Sequence, residues 1–216
     1  LCIPEQKITA IVGESGSGKS TLLKLLYKFY SPTKGIINYG ETNLNELDYS
    51  YFRSKCGVVL QDGYIFSDTI EGNICLNQGK INNKRFVEVA KVACVNEFIQ
   101  EFDYGYDTKI GSGGMSLSKG ECQRIFIARA LYKKPDILIL DEATAALDAA
   151  IEKKIIANIK KYCHDITIII VAHRLSMVKN ADQIAVLKEG EITEVGKHLD
   201  LFLKKSDYYH LIKDQT

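Results

Sequence analysis

Gly13-Glu14-Ser15-Gly16-Ser17-Gly18-Lys19-Ser20 is the stretch on which the fold turns. It satisfies the spacing G-x-x-x-x-G-K-[ST]. An apolar run, Ile8 to Val12, precedes it, and a run of helix formers, Lys19 to Tyr30, follows. A triphosphate is a dense anion, and backbone N–H groups at the start of a helix can surround it. Side chains would obstruct so close an approach, so glycines stand where the backbone must come near. Lys19 can then reach the β- and γ-phosphates, and the Ser20 hydroxyl can ligate Mg²⁺. The bland alternative is a Gly-rich turn beside a surface lysine, but the strand before and the helix after are what phosphate binding needs.

Strand-like and helix-like segments alternate on either side of this loop, which implies an α/β chain with a largely parallel sheet. Ser31-Pro32 closes the first helix. Gly35 to Gly40 and Cys56 to Leu60 read as short strands. Phe86, Val89, Ala90 and Ala93 then follow i, i+3, i+4, i+7 spacing, the mark of an amphipathic helix. The expected division is a core of residues 1–61 and 132–216, with residues 62–131 inserted as a helical sub-lobe. Ile137 to Leu140 and Ile166 to Ala172 are unbroken apolar runs typical of doubly covered parallel strands. Ile184 to Leu187 and Ile192 to Val195 flank Lys188-Glu189-Gly190-Glu191, a hairpin near the sheet edge. From Lys197 onward the chain reads as polar helix and tail.

The Ile137–Leu140 run ends at Asp141-Glu142, and catalysts in open α/β sheets gather at the carboxyl ends of strands. Asp141 can hold Mg²⁺ there, directly or through water. Glu142 can orient, or accept a proton from, a water attacking the γ-phosphate. The competing reading is an acidic helix N-terminus favoured by its dipole. His173 follows the last residues of another apolar strand, on the same rim, although a lone His is usually a satisfied polar residue. His164, His198 and His210 have no such placement and read as surface residues.

Composition sets the outer limits. With 216 residues, 46% of them hydrophobic, the chain can bury a sizeable core. A formal net charge of +1, with no Lys/Arg tract, gives no bulk electrostatic case for nucleic acid or an anionic membrane as the main partner. The six cysteines form no C-x-x-C pair and read as reduced thiols. No apolar stretch approaches the roughly 20 residues needed to span a bilayer. The first residue is Leu1, which suggests a piece of a longer polypeptide with membrane segments expected upstream.

Taken together and in order, these residues resemble the nucleotide-binding domain of ATP-binding-cassette (ABC) transporters, over essentially the whole chain. Gly13 to Ser20 is similar to the family's Walker A. Gln61, after Val58-Val59-Leu60, is similar to its Q-loop. Leu117-Ser118-Lys119-Gly120-Glu121 resembles the signature usually written L-S-G-G-Q, and Ile137 to Glu142 resembles Walker B. Ala145-Ala146-Leu147-Asp148 resembles the D-loop, and His173 the switch histidine. The resemblance implies a P-loop NTPase core with antiparallel edge strands and an inserted helical subdomain. It implies an ATPase in which two such domains, expected as a homodimer, sandwich two ATP molecules head to tail.

In that arrangement Gly13, Glu14, Ser15, Gly16, Ser17, Gly18, Lys19, Ser20 and Thr21 would surround the phosphates. Ser20, Gln61 and Asp141 would serve the Mg²⁺, and Glu142, His173 and Gln61 the hydrolysis. Ser118 and Gly120 of the partner would contact the γ-phosphate, and Asp148 would help link the two sites. Lys119 and Glu121 depart from the family's glycine and glutamine. The family's adenine-stacking aromatic lies upstream of Walker A, beyond the start of this chain, so no residue is named for it.

Phe52-Arg53, Gln61-Asp62, Phe66-Ser67-Asp68-Thr69-Ile70, Asn73-Ile74 and Gly111-x-x-Gly114 resemble the exporter branch and are similar to bacterial exporters of peptides and bacteriocins, with export of drugs or lipids left open. That resemblance implies a transmembrane domain in the same polypeptide, a place at the cytoplasmic face of the cell membrane, and no nucleic acid. The alternative is a soluble ABC-type ATPase acting on nucleic acid or ribosomes, which usually carries coiled-coil or basic insertions not visible here. A binding-only regulatory site is disfavoured by Glu142, and a GTPase by the lack of an N-K-x-D base-reading motif.

Overall fold

Ile8–Val12 is buried at all five positions. A strand that is apolar on both faces needs cover on both, which is the environment of a parallel sheet centre. The computed structural model, which describes residues 1–76, 80–162, 165–171 and 175–213, puts it there. Six strands form one sheet in the order Glu191–Gly196, Gln183–Lys188, Ile8–Val12, Thr167–Val171, Ile137–Asp141, Cys56–Val59. Ile8–Val12 runs parallel to both of its neighbours, and Ile137–Asp141 runs parallel to Thr167–Val171. Glu191–Gly196 pairs antiparallel with Gln183–Lys188, with a register shift between Ile192 and Glu194. The chain is therefore α/β with a mostly parallel sheet and antiparallel strands, as its alternating pattern requires.

The chain divides into two compact units. The first comprises Leu1–Val58, Asp136–Glu142 and Ile166–Thr216. Its core joins Ile11, Leu23, Ile139, Ile169, Val171 and Leu187. Leu23 comes from the helix Lys19–Leu26, so the helix that opens at the phosphate loop is anchored on the sheet. That helix is shorter than its run of helix formers suggests. Lys28 is left-handed at φ 57°, and the Phe29 and Tyr30 amides both turn back to the Lys24 carbonyl. The Gly35–Gly40 strand shrinks to Asn38–Tyr39, paired with Thr42–Asn43.

The C-terminal stretch is less polar than expected. Its helices His198–Lys204 and Asp207–Ile212 bury Leu201, Tyr208 and Ile212. His198, expected at the surface, is half-buried, with Nδ1 2.8 Å from the Tyr208 hydroxyl. Burial lowers its pKa from the ordinary 6.5, and the positive charge of Lys179 adds to that. His210 is exposed as expected, and His164 lies outside the described residues.

The second unit comprises Val59–Pro135 and Ala143–Asp165. It is mainly helical. Asn83–Val92 carries the expected amphipathic stripe, burying Phe86, Val89, Ala90 and Val92, and Asn82 caps it by accepting the Arg85 amide at 3.0 Å. Lys119–Tyr132 buries Ile125, Ile127, Ala128 and Leu131. On its polar side Arg129 donates to the carbonyls of Asn73 and Tyr64 at 2.7 and 2.9 Å and lies over the rings of Phe66 and Phe126. Burial draws that guanidinium down to about 10. Ala149–Tyr162 buries Ile155 and Ile159, and its Asn158 donates to the Val92 carbonyl at 3.2 Å. Among the described residues no helix is long and apolar enough to cross a membrane.

Candidate nucleotide site

In the first unit the phosphate loop leaves the carboxyl end of Ile8–Val12 and enters Lys19–Leu26. Gly16 and Gly18 sit at φ 81° and 102°, conformations that side chains rarely tolerate, so the turn needs glycine at both. Gly13 lies against the Leu187 backbone with no room for a Cβ. The Gly190 amide, in the hairpin turn, donates to the Ser17 carbonyl at 3.0 Å and braces the loop from a second strand pair. Glu14, Ser15, Ser20 and Thr21 are exposed, whereas Ser17 is buried.

Lys19 is 7% exposed, and its ammonium donates to the carbonyls of Gly13 and Glu14 at 2.9 and 2.7 Å. A cavity of about 380 Å³ lies beside the loop, between Glu14–Ser17 and Lys188, Asp207 and His210.

Asp141 ends the parallel strand two places along the sheet from the one that feeds this loop, so the two strand ends share an edge. Burial lowers the pKa of Lys19, while the negative charges of Glu142 and then Asp141 pull it back up. The phosphate loop and the acidic strand end therefore lie in the same compact unit. Glu142 is left-handed at φ 49°, and its amide donates to the Val171 carbonyl at 3.2 Å. A non-glycine residue in this region is held there by its surroundings at a cost of order 1–3 kcal/mol, and such residues cluster at functional sites. His173 lies outside the described residues.

Gln61, Ser118, Gly120 and Asp148 belong to the second unit. Ser118 is the N-cap of Lys119–Tyr132. Its hydroxyl accepts the Glu121 amide at 3.2 Å, and the Glu121 carboxylate accepts from the Ser118 amide and hydroxyl at 2.7 and 2.8 Å. This is a reciprocal capping box. The helix thus begins at Lys119, inside the signature stretch. Asp148 accepts the amides of Ala150 and Ile151 at 3.0 and 2.9 Å, so it caps Ala149–Tyr162, and those bonds lower its carboxyl pKa.

The family model described as ABC transporter matches residues 1–145. The chain belongs to the ABC transporter family. Over 212 residues it is 45% identical to the toxin RTX-III translocation ATP-binding protein of Actinobacillus pleuropneumoniae, covering 98% of this chain and 30% of that protein. Over 209 residues it is 46% identical to the leukotoxin translocation ATP-binding protein LktB of Mannheimia haemolytica, with 97% and 30% covered. A solved bacterial Atm1-family ABC exporter with ATP bound superposes with a TM-score of 0.94 at 38% identity, covering 99% of this chain and 38% of that one. The chain thus spans about a third of the length of these relatives. It is an ATP-binding domain of the ABC type, a domain family of ATPases.

Within that family, the capping box gives a physical reason for one of the two departures in the signature stretch. A box asks for Glu or Gln at its fourth position, because either offers an oxygen to the cap amide. Glu121 fills that role in place of glutamine, and it also puts a negative charge in the first turn, where the helix dipole favours one. Nothing in the structure explains Lys119, which is exposed.

Gln123 and the pair Thr144–Glu152 support this part of the chain, and motif spacing does not reveal them. Their partners lie 23 and 8 residues away in sequence, outside any local pattern.

Proposed function

We propose that this domain is the motor of an ABC exporter, binding ATP with Mg²⁺ and hydrolysing it to drive a polypeptide substrate across a membrane. The observation that carries the reading is the shared sheet edge on which buried Lys19 feels both Asp141 and Glu142. The residues fit the ligand. Left-handed glycines shape the loop at a helix start, where backbone amides favour an anion, and a lysine ammonium is already held within that loop.

Gly13 to Thr21 would wrap the phosphates, with Lys19 exchanging its loop carbonyls for phosphate oxygens. Ser20, Asp141 and Gln61 would hold Mg²⁺, which supplies Lewis-acid stabilisation of charge on the phosphate oxygens. Glu142 would orient the attacking water and take its proton, aided by His173 and Gln61. Ser118 and Gly120 of a second copy would complete each site, and Asp148 would help connect the two.

Relatives named as toxin and leukotoxin translocation components support export of a polypeptide over action on nucleic acid or ribosomes. We place the domain at the cytoplasmic face, joined to a transmembrane domain.

The test is Glu142→Gln in the full-length protein. It should bind ATP with wild-type affinity, turn over at least about a hundredfold more slowly, and accumulate as an ATP-bound dimer in size-exclusion chromatography. Wild-type turnover in that variant would remove Glu142 from the chemistry.

A further inference from the structure

The loop that follows Glu142 is tied to the signature helix, Lys119–Tyr132, by a side chain that belongs to none of the motifs. The Gln123 Oε1 accepts the Ala146 amide at 3.0 Å. The carbonyl of the same Ala146 lies so close to Gly120 that a Cβ there would meet it at 3.1 Å. The signature helix therefore meets both backbone polar groups of Ala146.

The flanking residues are fixed to a different helix. The Thr144 hydroxyl donates to the Glu152 carboxylate at 2.6 Å, with the two residues 6% and 1% exposed. Asp148 caps Ala149–Tyr162 through the Ala150 and Ile151 amides. Thr144 and Asp148 are thus set by one helix and Ala146 by the other. This loop leaves the chain at a residue with left-handed backbone, Glu142. Such a conformation persists only where the segments around it over-determine it.

We propose that Gln123 is a positioning residue for ATP hydrolysis: its side-chain carbonyl pins the 143–148 loop to the first turns of the signature helix. The loop leaving Glu142 and the capped turn at Ser118 then move as one body. The inference rests on the ATPase reading and on the role of Glu142 given above. Without the tether the loop gains freedom next to Glu142, and the water-orienting geometry is sampled for less of the time. ATP capture by the phosphate loop does not use this bond, so affinity and turnover should separate.

The experiment compares Gln123→Met, which keeps the length and removes the acceptor, with Gln123→Glu, which keeps an acceptor oxygen. In the full-length protein we expect Gln123→Met to lower kcat about tenfold, the scale of one lost hydrogen bond in a positioned site. Its equilibrium Kd for ATP should stay within about twofold of wild type, and Gln123→Glu should recover at least about half of the lost rate.

Wild-type kcat in Gln123→Met would overturn the proposal, as would a Kd that weakens in step with kcat. A fall in Tm of more than about 5 °C would assign Gln123 a purely structural role instead. A Gln123→Glu variant as slow as Gln123→Met would show that the acceptor is not what matters. A wild-type protein without ATPase activity would sink the functional reading itself; an active wild type beside an unaffected Gln123→Met would sink only this inference.

Discussion

Replacing Glu121 by alanine removes the acceptor half of the box that starts the signature helix. Two bonds go, those from the Ser118 amide and hydroxyl to the carboxylate, and one stays, from the Glu121 amide to the Ser118 hydroxyl. A cap is worth about 1 kcal/mol, and an acidic group in the first turn about 0.3–1 kcal/mol. Ser118 is exposed, so water recovers part of the loss. The expected cost is about 1 kcal/mol, or a Tm lower by about 2–4 °C for a chain of this size. Glu121→Gln keeps an oxygen for the cap amide but loses its charge, so about half that cost is expected.

The assay is thermal unfolding without nucleotide, so that ligand linkage does not enter. The order should be wild type, then Gln, then Ala. An alanine variant as stable as wild type would refute the box, and a glutamine variant below alanine would refute the account of the departure at this position. If Ser118 meets phosphate across a dimer, Glu121→Gln should also associate at lower ATP concentration than wild type. Salt should shrink that difference.

Lys19→Ala should abolish the stabilisation that ATP confers, about 2.7 kcal/mol for wild type at a hundredfold excess over Kd, as read from Tm with and without nucleotide. Thr144→Val keeps the shape but leaves the buried Glu152 carboxylate without that hydroxyl, and should cost about 1–3 kcal/mol in denaturant unfolding. His198 has a folded-state pKa below 6.5, so the native state disfavours its proton. Its contribution is intact above 6.5 and is lost as pH falls from there through the lower folded-state pKa. His198→Asn should therefore flatten the acid-side decline of a Tm-against-pH curve, and an unchanged slope would count against a half-buried neutral imidazole.

The sheet was legible because its central strands are short apolar runs buried between their neighbours; Ile8–Val12 and Ile137–Asp141 lie within a residue of where those runs put them. The phosphate loop was legible because a close backbone approach demands glycine, and glycine is visible in a sequence. Element ends were less so. Lys19–Leu26 stops at a left-handed lysine, which good helix formers do not announce. The start at Lys119 depended on recognising Ser118 and Glu121 as a box. Gln123, Thr144 and Glu152 were illegible for a different reason, since a polar residue inside a helix or loop looks like solvent-facing filler until its distant partner is known. His198 is the converse, a polar residue drawn inward by Tyr208.

The strand feeding the phosphate loop has consequences for synthesis. Ile8 pairs with Ile168 on one side, and Thr9 with Gln183 on the other. At roughly 5–20 residues per second on the ribosome, this apolar segment emerges many seconds before either neighbour exists. Through that interval it must be shielded by chaperones or by transient non-native contacts. A stop codon that removed the Gln183–Lys188 strand would leave it bare on one edge, a product fit for degradation or aggregation and unable to act as a partly active truncation.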